Sequence, residues 1–188
     1  MTRLYQIVLI ICISGCLIAC GFHIRERLPV PPELNSIALT SENINGYLTQ
    51  KLWQVFKSTN TQVETDSQYS MIRLDLYDES MDSQILSESA SSATRQYTLI
   101  YNISYKLSCR GKKVYGPKTL NAFRNYMVNE RQVLSTPTEQ QILSRDLQND
   151  LAYRIISQLN SPEVRRIINA CQELSDENQL SKSKFSAR

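Results

Sequence analysis

Apolar and polar residues alternate most regularly in the middle of the chain. Tyr97, Leu99, Tyr101, Ile103, Tyr105 and Leu107 take every second position, with Gln96, Thr98, Asn102, Ser104 and Lys106 between them. A strand with one face in a core and the other in water has this pattern. Met71 to Asp78 repeats it, setting Ile72, Leu74 and Leu76 against Arg73, Asp75 and Tyr77. Arg110-Gly111-Lys112 supplies a turn after the longer strand, with Gly111 free to take positive φ. The return strand runs from Val114 through Leu120, Phe123 and Tyr126, and Gly116-Pro117 predicts a bulge or bend in it. Ser36 to Thr40 reads as a short strand, Thr61 to Thr65 as an edge strand, and Ser87 to Thr94 as a turn or hairpin tip.

Two stretches change to helical spacing. After Asn45-Gly46, Leu48, Leu52, Val55 and Phe56 recur at three- and four-residue steps, and Trp53 lies off that stripe, placed for rim packing before a partner contact. Thr136-Pro137-Thr138-Glu139 has the form of a capping box with proline at the first helical position. Leu143, Leu147, Leu151, Ile155 and Leu159 then line one face. Ser161-Pro162 ends that helix, and Val164, Ile167, Ile168 and Cys171 suggest a short successor. The expected fold is α+β, with two helices on one face of a mostly antiparallel, four- to five-stranded sheet.

The N-terminus follows a different logic. Arg3 precedes an apolar run from Leu4 that closes at Leu17-Ile18-Ala19-Cys20, where polarity returns. A charged start, a short apolar centre and small residues at the exit describe a secretory signal. The tetrapeptide resembles a bacterial lipobox, which implies cleavage before Cys20 and acylation of its thiol and amine. Gly21, in place of aspartate, points to the outer membrane. The expected organisation is a cleaved signal peptide over 1–19, a lipid anchor with a proline-rich tether over 20–35 (Pro29, Pro31, Pro32), a domain over 36–171 and a polar, disordered tail over 172–188.

Composition mainly excludes. A net charge of +3 is too balanced to imply nucleic acid, and no basic cluster is interleaved with aromatics. Ten tyrosines against four phenylalanines predict aromatic rings whose polar ends stay wet or bonded. Cys109 and Cys171 outlast the signal and anchor; a bridge between them, two free thiols, or pairing between molecules all remain open. His23, the only histidine, lies beside the anchor and makes a poor base. Asp75, Asp78, Glu79 and Asp82 cluster as a cation site would, but read better as a solvated sheet face. No nucleophile pair, phosphate loop or metal-ligand spacing is present, so neither enzyme, cofactor nor metal is expected.

Cys20-Gly21-Phe22-His23-Ile24-Arg25, Asn45-Gly46 with Leu48, the Tyr97–Leu107 strand with its Gly111 turn, Phe123-Arg124-Asn125-Tyr126 and the Thr136–Leu159 helix together resemble the LPS-assembly lipoprotein LptE family. The resemblance implies an outer-membrane lipoprotein subunit of the lipopolysaccharide translocon, held on the periplasmic side by a lipid on Cys20. It implies a plug in the lumen of an LptD-like β-barrel that helps the barrel assemble, with lipopolysaccharide as a further contact. The basic candidates for barrel or lipopolysaccharide contact are Arg95, Lys112, Lys113, Lys118, Arg124 and Arg131. The competing reading is a free-standing periplasmic lipoprotein that binds a soluble ligand or peptidoglycan.

Overall fold

A computed structural model describes residues 30–64, 71–88, 94–129 and 136–173. Strand β1 (Ser36–Ser41) leads through helix α1 (Tyr47–Ser58) to the short β2 (Gln62–Glu64). Three long strands follow, β3 (Ile72–Glu88), β4 (Thr94–Cys109) and β5 (Lys112–Asn129), and then helices α2 (Thr136–Leu159) and α3 (162–173). The sheet order is β2-β1-β3-β4-β5. β3, β4 and β5 are antiparallel, while β1 runs parallel to both its neighbours. The sheet is therefore mixed, more so than the strand patterns suggest. The reason is local: β1-α1-β2 is a crossover, and a helix between neighbouring strands carries the chain back to start the second in the same direction.

The core lies between the sheet and its helices. Leu48, Leu52 and Phe56 of α1 are buried, as are Leu147, Leu151, Ile155 and Leu159 of α2. They meet Leu74 and Leu76 of β3 and the alternating face of β4, from Leu99 through Leu107. The short successor suggested after Ser161-Pro162 is present as α3, with Val164, Ile168 and Cys171 buried. Cys171 is bonded to Cys109 at the end of β4, with the Cα atoms 6.1 Å apart.

At three places the chain departs from its sequence pattern. β3 runs ten residues past Asp78, because two bulges, at Tyr77/Ser80 and Ile85/Ser87, shift its phase twice. Asp78 takes the left-handed conformation (φ 52°) at the first. On β5, Phe123 pairs with outward-facing Ile100 and is exposed, whereas Leu120, Ala122 and Tyr126 face the helices. The stretch expected as a tether is docked from Val30 onward: Val30 and Leu34 enter the core, and Arg165 of α3 reaches both carboxylate oxygens of Glu33. The β4–β5 turn is the two-residue Arg110-Gly111, both at positive φ. The expected irregularity at Gly116-Pro117 appears as a register shift between Tyr105 and Leu107. A Cβ at Gly116 would lie 2.9 Å from the Tyr105 carbonyl oxygen, which explains the glycine.

Candidate functional site

Among the described residues, the outward face of β3, β4 and β5 packs against no helix. Residues paired across the sheet share a face, so the even-numbered positions of β4 define it. Uncharged polar side chains join across it: Thr98 donates to Asn125 (2.9 Å), Ser104 and Thr119 share a hydrogen bond (2.9 Å), and Asn102 donates to Ser80 (3.4 Å). Phe123 and Met127 stand among them, 62% and 64% exposed. Towards the β4–β5 turn the face becomes charged but internally paired, with Arg73 2.9 Å from Asp75 and Lys106 over the Tyr77 ring. This surface is nearly neutral and weakly apolar, with side chains able to hydrogen-bond to another polar surface.

Tyrosines on the opposite face tie the sheet to α2 and β4 to β3. Tyr105 donates to Gln158 of α2, Tyr101 to Glu79 beside the first β3 bulge, and Gln140 of α2 to Tyr126 (2.6 Å). Each buries its ring and keeps its hydroxyl bonded, as the excess of tyrosine over phenylalanine predicts. Burial first, then Glu79, raises the Tyr101 phenol well above its usual range; burial first, then Tyr115, does the same for Tyr105. Both stay protonated hydrogen-bond donors.

The five basic candidates among the described residues do not converge. Lys112 and Lys113 are exposed at the β4–β5 turn, and Lys118 lies further along β5 over the Tyr115 ring. Arg95 and Arg124 belong to the opposite half of the sheet, where Arg124 pairs with Asp146 of α2 (3.3 Å). β4 separates these groups by tens of ångströms at about 3.3 Å per residue. Arg131, Cys20 and His23 lie outside the described residues, as do positions 89–93 of the expected hairpin tip. The acidic cluster is dispersed as well: Asp75 faces outward with Arg73, Glu79 accepts from Tyr101, and Glu42 accepts from the Asp78 amide (3.3 Å). Among the described residues no group of histidine, cysteine or carboxylate side chains could hold a metal, and no helix is long and apolar enough to cross a membrane.

One concavity is not visible in the sequence pattern. A groove of about 530 Å³ separates the first half of α1 from the sheet edge, lined by Ile44, Tyr47, Trp53, Val63 and Glu64 among others. It arises because Trp53 and Ile44 stay off the core stripe and β2 is only three residues long.

Comparisons with known proteins agree with this architecture. The chain is 27% identical over 152 residues to the LPS-assembly lipoprotein LptE of Yersinia enterocolitica, covering 80% of this chain and 73% of that protein. It is 23% identical over 170 residues to LptE of Pectobacterium atrosepticum, covering 90% and 89%. Its fold is similar to the rare lipoprotein B of Shewanella oneidensis (TM-score 0.59, 23% identity, 69% of this chain and 97% of that one). It is also similar to lipoprotein B of Nitrosomonas europaea (TM-score 0.60, 20% identity, 74% and 90%). A sequence model described as LptE, lipopolysaccharide-assembly, matches residues 34–159, and the chain belongs to that family of envelope lipoproteins.

Proposed function

We propose that this LptE-like lipoprotein acts by filling space, as the plug of an LptD-like outer-membrane β-barrel whose assembly it assists. The helix-free sheet face carries the reading. A barrel lumen is polar, and its wall repeats along strands. Hydroxyl and amide side chains on β3, β4 and β5 can hydrogen-bond to such a wall without burying an unpaired charge, which would cost several kcal/mol. Acylation of Cys20 anchors the protein to the periplasmic face of the outer membrane. Two or more acyl chains make such an anchor stable, and the anchor concentrates the plug near its barrel. The basic side chains among the described residues divide between the two ends of the sheet, so this reading gives lipopolysaccharide no single phosphate cradle there. In this reading the protein is a noncatalytic subunit.

Affinity purification of tagged protein from membranes solubilised in mild detergent tests the reading. A large β-barrel protein should co-purify in stoichiometric amount, and depletion should reduce surface lipopolysaccharide. Recovery of the tagged protein alone, with surface lipopolysaccharide unchanged on depletion, would sink it.

A further inference from the structure

β1 accompanies β3 only as far as the pair Ser41–Leu76 and then turns away towards α1. Past that point β3 continues to Glu88 with β4 on one side and, among the described residues, no strand on the other. Every residue over 80–86 is exposed. Met81 and Ile85 are 57% and 56% exposed, although Tyr101, paired with Met81 on β4, is buried. The phase of the ladder shows what this edge offers. The Arg110 amide donates to the Met71 carbonyl (2.9 Å), so β4 turns the backbone groups of its even-numbered residues towards β3. Beyond the first bulge these are Asn102, Ile100 and Thr98, opposite Ser80, Asp82 and Gln84. Met81, Ser83 and Ile85 therefore turn their amides and carbonyls to the free edge. The Ser83 amide agrees, because it donates to the Asp82 carboxylate (2.9 Å) where a neighbouring strand would otherwise accept.

Exposed edges are usually blunted by lysine, proline or shortness. β5 carries Lys112, Lys113, Lys118 and Pro117, and β2 is three residues long. The run over 80–85 has none of these devices, and the two bulges lie at its ends. Its charge is of one sign. Asp78, Glu79 and Asp82 lie along it, Glu42 adjoins it, and no Lys or Arg falls between Asp78 and Glu88. A cavity of about 350 Å³ opens where β1 leaves the row, lined by Glu42, Glu79, Met81, Tyr101 and Gln148 among others. We infer that this edge accepts an extended strand from a partner polypeptide, apolar against Met81 and Ile85 on the helix side and carrying Lys or Arg beside Asp82 on the outward side. The inference rests on the plug reading, in which that polypeptide is the barrel protein, and adds a backbone contact to those of the outward face. A second copy of this chain does not fit, because pairing two such edges sets carboxylates against carboxylates.

Hydrogen exchange of the isolated protein and of its detergent-extracted barrel complex, read at single residues by mass spectrometry, tests the contact. In isolation Met81, Ser83 and Ile85 should exchange fast, and Ser80, Asp82 and Gln84 slowly. In the complex the first three should slow by about tenfold or more. Ser83→Pro removes an edge donor without touching the β4 ladder, and Asp82→Lys reverses the charge beside it. Each variant should keep its far-ultraviolet circular dichroism and recover severalfold less barrel. Should Ser83→Pro fail to fold, Asp82→Lys and the exchange rates decide. A barrel that co-purifies while the three amides stay fast overturns the edge contact and leaves the plug reading standing; recovery of no barrel overturns both. Full recovery by either folded variant, or protection already present in the isolated protein, also overturns the edge contact.

Discussion

Tyr101 and Tyr105 show how one side chain can serve core and network together. Their rings fill space beneath α2, and their hydroxyls donate to Glu79 and Gln158. Both phenols titrate above their usual value near 10 when folded, so the folded state holds these protons after the unfolded chain has begun to release them. Their contribution to stability is complete below about pH 10 and is lost as pH rises above it. Alkaline unfolding followed by circular dichroism should therefore begin near pH 10, and Tyr101→Phe/Tyr105→Phe should flatten that loss. An identical alkaline limb in the variant would contradict the assignment. The burial of these residues was legible from alternation alone, since Tyr97 to Leu107 keep strict period two. Their partners were not, because Gln158 and Glu79 reach them through helix packing and a bulge that leave no periodic trace.

Legibility at the level of elements depends on whether phase is kept. α2 could be read from its four-residue steps and its proline near the start, and β4 from six alternating positions. β3 beyond Asp78 could not, because each bulge flips every following side chain to the other face. The phase of β5 was obscured by Phe123, an aromatic on the outward side. α3 was suggested by apolar spacing, but its attachment to Cys109 depends on geometry that only the fold provides. The bridge spans 62 residues of sequence, and in a chain-entropy model closing such a loop stabilises by about 4 kcal/mol. Cys109→Ala/Cys171→Ala should therefore lower the unfolding free energy obtained from urea titration by a substantial part of that amount, with the midpoint falling in proportion. Loss should begin at α3, which is otherwise held by Val164, Ile168 and the Glu33–Arg165 pair. Amide exchange that accelerates first in residues 162–173 would locate the effect; uniform acceleration across the sheet would argue against a local staple.

For the molecule as a whole, the argument turns on two sheet faces with opposite tolerance for charge. The helix side is packed, and Ile103 there is fully buried. The outward side presents Phe123 and Met127 within rows of hydroxyl and amide groups. If that outward face meets the barrel wall, its carboxylate tolerance in the free protein should disappear in the complex. Phe123→Asp/Met127→Asp should leave the melting temperature of the isolated protein nearly unchanged, since exposed substitutions usually shift stability by no more than about 0.5 kcal/mol. The same variant should lose co-purification with the barrel, because two carboxylates would have to be desolvated against the wall. Ile103→Asp should do the reverse in kind, unfolding the free protein through an unpaired buried charge and so losing the barrel only as a consequence. The decisive comparison is detergent co-purification of the outward variant beside its melting curve. A folded Phe123→Asp/Met127→Asp protein that still recovers its barrel in full would move the contact surface away from this face and on to the helices.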